Sequence, residues 1–158
     1  MTDNKLVIIQ SDINISDKKS PAPIGRWVTE NSFDATVTIG SFNPAAPSDF
    51  AGLILFHDDD CFIALGKSVD SEGSTTIRLM AQSKNDYNES WDKLLPESDK
   101  PLRIKISSDG KGVYSFYYSM DNNSFEQVPL KLPADILSTK TAGNFTGTMV
   151  GVYATSQQ

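Results

Sequence analysis

GKGVYSFYYSMDNNSFEQV, residues 110–128, decides how this chain folds. Tyr114, Phe116 and Tyr118 alternate with Val113, Ser115 and Tyr117, so the two sets point to opposite sides of an extended strand. Ser108-Asp109-Gly110 precedes the strand, and Asp-Gly supplies the positive φ of a tight hairpin turn. Asp121-Asn122-Asn123-Ser124 follows it with residues that tolerate the left-handed region. The stretch therefore reads as one strand between two hairpin turns. Tyr114, Phe116 and Tyr118 are expected in the core. Tyr117 is read either as packing or as a platform for a sugar ring.

The same two-residue period recurs along the chain. DATVTIGSF places Ala35, Val37 and Ile39 on one face and Thr36 and Thr38 on the other. AGLILFHD, CFIALGK, STTIRLMAQ, PLRIKISSDG and GTMVGVYATS are short, rich in β-branched or aromatic residues, and bounded by turn formers. With KLVIIQ near the start, about eight strands are predicted at sandwich or barrel spacing. No segment holds a helical period. LPADILS (132–138) is expected to form one turn, with Pro133 near its start. The polar stretch 83–100 reads as a long surface loop or a loose hairpin. The expected architecture is all-β, a two-sheet antiparallel sandwich in a single unit spanning residues 1–158.

Charge narrows the partners. The net charge is −6 over 158 residues, which disfavours nucleic acid and anionic membranes as partners. No apolar run approaches the roughly 20 residues of a membrane span. The first residues lack the charged and apolar regions of a signal peptide. The abrupt KLVIIQSD opening is expected of a piece of a longer, exported protein, secreted or periplasmic.

Chemistry is sparse. Cys61 is the single cysteine and reads as a buried thiol, since no basic residue flanks it. His57 is the single histidine, so any Ser-His-Asp or Cys-His arrangement rests on it, and a strand-end position beside a turn is the simpler reading. Asp58, Asp59, Asp60, Glu72, Asp121 and Glu126 lie mostly at turns, where carboxylates are normally solvated; as a glycosidase pair they are weak. No catalytic residue is assigned. No cofactor is required; calcium is the one candidate, with Asp58 and Asp60 of HDDD as its ligands and MDNNS as a second oxygen cluster. The alternative is acidic turns that keep the surface soluble. Sugar binding needs an aromatic face beside planar polar groups. Trp27, Trp91, Tyr87 and Tyr117 are the aromatic candidates, with Arg26, Arg78, Gln82 and Asn144 as polar partners. Trp27 and Trp91 read equally as packing residues.

FDATVTI followed by AGLILFHDDDCFIAL, then PLRIKISSDGKGVYSFYYSMDNNSFEQV and LSTKTAGNFTGTMVGVYATS, resembles the concanavalin A-like jelly roll that closes glycoside hydrolase family 43 β-xylosidases and arabinofuranosidases. PIGRWV (23–28) is similar to an arginine-containing segment of that family, with Trp27 where the second arginine is expected. That departure puts a polar role at this position in doubt. The family usually has a further strand region before KLVIIQ, which implies a trimmed or shortened sandwich here. The resemblance implies a non-catalytic accessory domain packed on a catalytic five-bladed propeller. Contribution to binding xylan- or arabinan-type polysaccharide through Arg26, Trp27, Arg78, Trp91 and Tyr117 is the accompanying expectation. A purely structural or protein-interaction sandwich without a sugar site is the alternative.

Overall fold

The computed structural model describes residues 23–40, 42–84, 87–96, 99–120, 124–138 and 148–156. The expected KLVIIQ strand, the expected turn at 121–123, Asn144 and Phe145-Thr146-Gly147 fall outside them.

Two antiparallel sheets form the molecule's frame. Strands β1 (Ile24–Trp27), β3 (Phe50–Asp58), β4 (Cys61–Val69), β5 (Thr75–Ser83), β6 (Tyr87–Leu94) and β11 (Met149–Thr155) make a six-stranded sheet ordered β1-β11-β3-β4-β5-β6. Strands β2 (Ser32–Ile39), β7 (Leu102–Asp109), β8 (Val113–Met120) and β10 (Leu132–Pro133) form the second sheet in the order β10-β8-β7-β2, with β9 (Glu126–Gln127) also paired to β8. Alternation explains the stacking. On β2, Phe33, Ala35, Val37 and Ile39 turn inward while Asp34, Thr36 and Thr38 stay exposed. Leu53, Leu55, Ile63, Leu65, Ile77 and Leu79 meet Ile104, Ile106 and Phe116 across the interlayer space. Removing these side chains from water is the main force that holds two sheets face to face.

The expected two-layer sandwich is therefore the observed one. Tyr114, Phe116 and Tyr118 are all buried on β8, as predicted. The turn before them is longer than a two-residue hairpin. Ser108 pairs with Tyr114, leaving residues 109–113 as the connection. Gly110 and Gly112 take φ of +72° and +99°. The Asp109 carboxylate accepts the amides of Lys111 at 2.7 Å and Val113 at 3.2 Å. Burial is slight there, and these amide donors hold that carboxyl below its usual range. Pro133 leads into a 3-10 turn at Ala134–Leu137, also as expected.

One expectation needs correction. Of the surface loop and the loose hairpin, the loop is the reading that fails: the polar stretch 83–100 contains a full strand paired antiparallel to the one before it. β6 pairs with β5 from Thr76↔Leu94 to Ser83↔Tyr87. As an edge strand it is largely solvated, so its polar composition imitates a loop. Its inward positions, Tyr87 and Trp91, pack against the core.

Candidate functional site

The outer face of the six-stranded sheet is apolar where a two-layer sandwich would ordinarily be wet. Phe50, Ile54, Phe62, Ala64 and Tyr153 form a second buried cluster there, joined by Phe56 and Met80. The register shows why the backbone permits this. Gly52 lies opposite Gly66, and a Cβ on Gly52 would meet the Leu65 carbonyl oxygen at 2.2 Å. Without side chains the two strands approach closely, and the Phe50 ring settles over Gly66. It lies 6.3 Å from the Tyr153 ring, tilted by 35°.

Beside this cluster runs a groove of about 460 Å³ along β5. Phe50, Phe62 and Tyr153 form one wall and Met80 the floor. Gln82 and Asn88, direct cross-strand partners, and Ser90 form the other. Pro47 and Ser48 close one end.

Arg78 is built into the groove as a clamp. Its Nε donates to Asp92 at 3.0 Å, one terminal nitrogen donates to the Pro47 carbonyl at 2.8 Å and Ser68 Oγ at 2.9 Å, and the other donates to the Val69 carbonyl at 3.1 Å. Its side chain is only 19% exposed. Ser68 Oγ in turn donates to the Asp49 carbonyl at 2.7 Å. One guanidinium thus ties β5, β6, the end of β4 and the 47–49 loop together.

The other four predicted sugar contacts do not join Arg78. Arg26 and Trp27 lie on β1, the exposed edge of the same sheet, where Trp27 stands opposite Met149. Trp91 faces the interior from β6, with its ring 6.1 Å from that of Tyr118. It closes the core at the sheet edge, the packing alternative. Tyr117 lies on the outer face of the second sheet, under the Lys105 ammonium at 4.5 Å. Lys105 and Arg103 also lie over Phe125, so cations cap this aromatic surface. The five predicted sugar contacts are thus spread over two sheets and both sides of one. Gln82, named as a polar partner, does line the groove. Phe50, Phe62, Met80, Tyr153, Asn88 and Ser90 were missed. The signal for them was the unbroken apolar run on β3 and β4, which marks strands covered on both faces.

The titratable groups serve the frame. Cys61 is buried against Ser83 at 3.8 Å, and burial raises its thiol pKa, as expected of an inert thiol. His57 is buried at the end of β3. Lys67 is only 2% exposed on β4, and burial lowers its amine pKa, with Asp99 opposing that shift. On the second sheet's edge, Tyr118 donates to Glu126 and accepts from Lys93 at 2.7 Å. That bond raises the lysine pKa. The HDDD turn is held by its own backbone. Asp58 Oδ1 accepts the Asp60 amide at 2.9 Å, and among the described residues no group of three or more His, Cys, Asp or Glu is poised for a metal. Nor is any helix among them long and apolar enough to cross a membrane.

The sequence profile described as "Beta xylosidase C-terminal Concanavalin A-like domain" matches residues 2–158. Solved structures share the fold at low identity. "Bacteroides ovatus Xyloglucan PUL GH43B" is 22% identical with a TM-score of 0.82, over 94% of this chain and 28% of that one. The xylan beta-1,4-xylosidase from Bacillus halodurans C-125 is 15% identical with a TM-score of 0.84, over 94% and 29%. The GH43 protein BlXynB from Bacillus licheniformis is 20% identical with a TM-score of 0.80, over 92% and 28%. The chain thus spans less than a third of each of these structures.

Proposed function

We propose a role from one established fact, that the chain belongs to the family of beta-xylosidase C-terminal concanavalin A-like domains. The chain acts as a non-catalytic accessory sandwich of a family 43 glycoside hydrolase. It packs on the catalytic domain and helps hold a plant polysaccharide of the xylan or arabinan type.

The edge strand β1 carries the packing part of this reading. All four of its residues are exposed, with Ile24 at 54% and Trp27 at 58%. Among the described residues β1 is the edge of its sheet, and an edge with large exposed apolar side chains is a liability that soluble proteins normally cover. Tryptophan at such an edge is the residue type that anchors protein interfaces. By contrast Leu94, the exposed apolar residue on the opposite edge, stands beside the charged Asp92 and Lys93.

Calorimetric titration of the chain against a family 43 catalytic domain from the same source tests this. The expected result is a saturable one-to-one complex that Trp27→Asp weakens more than about tenfold. No complex, or equal binding by the variant, overturns the packing role.

A further inference from the structure

We propose that the groove along the outer face of β5 binds a neutral oligosaccharide, about two or three sugar units long. Only the choice of sugar rests on the accessory-domain reading.

The volume of about 460 Å³ lies within the range of roughly 300–1,000 Å³ typical of small-molecule sites. Its walls differ in chemistry. Phe50, Phe62 and Tyr153, with Met80 below, offer apolar surface to a ring face. Gln82, Asn88 and Ser90 offer amide and hydroxyl groups to a hydroxyl rim. A pyranose carries both kinds of surface on one small body, and this division matches it. Gln82 and Asn88 face each other across the β5–β6 ladder, so their Cβ atoms sit about 5 Å apart on one face. Each supplies donors and an acceptor, the combination that vicinal hydroxyls require.

Charge selects the class of sugar. Arg78 is the lining cation among the described residues, and its guanidinium is committed to Asp92, Ser68 Oγ and the carbonyls of Pro47 and Val69. A uronate or phosphate would find that countercharge already engaged. The length follows from the strand. Arg78 to Gln82 spans about 13 Å along β5, enough for a short oligomer.

The test uses the whole chain labelled with ¹³C in its methionine methyl groups, titrated with xylotriose to millimolar concentration. The Met80 methyl is expected to shift and saturate, while that of Met120, on the other sheet, stays in place. Gln82→Ala weakens binding about fivefold or more; Tyr117→Ala leaves it unchanged; a trimer of galacturonic acid does not bind. An unmoved Met80, an equal response to the uronate, or unchanged affinity in Gln82→Ala overturns the proposal. Loss of catalytic-domain binding with a retained Met80 shift would sink the packing role and leave the groove standing. The reverse would remove the groove alone.

Discussion

The Cζ atom of Phe50 lies 2.7 Å from where a Cβ on Gly66 would sit. The ring therefore occupies the space that glycine leaves, and the groove wall depends on it. Gly66→Ala must displace the ring and also force apart β3 and β4, because the Ala51 carbonyl oxygen is 2.2 Å from the same point. A loss of about 2–4 kcal/mol is expected in urea unfolding. A change under about 0.5 kcal/mol would mean the strands are not this close.

The two tryptophans should separate cleanly. Trp91 packs over Tyr118 at the core edge, so Trp91→Ala is expected to cost about 3 kcal/mol. Trp27 is exposed, and Trp27→Ala should change stability by less than about 0.5 kcal/mol. Parallel denaturation curves check this, and the reversed order would contradict both placements.

Alkali should destabilise the chain. Burial raises the pKa values of Tyr114, Tyr118 and Cys61. For a group whose folded pKa is raised, its stabilising contribution is complete below the unfolded value and lost as pH climbs through the folded value. Unfolded thiols and phenols titrate near about 8.5 and 10. Stability is therefore expected to fall as pH rises through about 8.5 and beyond 10. Lys67, lowered by burial, opposes the trend, since its deprotonation favours the folded chain. Unfolding free energies measured from neutral pH to about pH 11 should show the fall, and Tyr114→Phe should reduce its slope. A flat profile in both proteins would contradict the burial of these groups.

Chelation should do nothing. Asp58 Oδ1 accepts the Asp60 amide, so the HDDD turn is expected to hold its shape without an ion. Melting temperatures with added calcium and with a chelator are expected to agree within about 2 °C. A larger gap would reveal a stabilising ion.

The frame was legible because burial imposes a period of two. FDATVTI and VYSFYY state their inward faces directly, and the Asp-Gly pair marks the turn between β7 and β8. The site was less legible because a groove is assembled across strands. Phe50, Met80 and Tyr153 belong to three separate runs, and only the register brings them together. Arg78 looked like a ligand contact because sequence cannot show that four oxygen atoms claim its guanidinium. Trp91 stood out as an oddity in a polar stretch; once β6 is paired to β5, it is the apolar residue an edge needs. Its neighbours Glu89 and Lys93 hid the strand, since an edge tolerates charge on both sides.

The central claim is that this sandwich works beside a catalytic domain that packs on the exposed side chains of β1. Amide hydrogen exchange of the chain, alone and with a family 43 catalytic domain from the same source, tests this most directly. Slowed exchange is expected at residues 25–28, with β5 and β6 unchanged. Unchanged exchange along β1, or protection confined to the groove strands, would contradict the account.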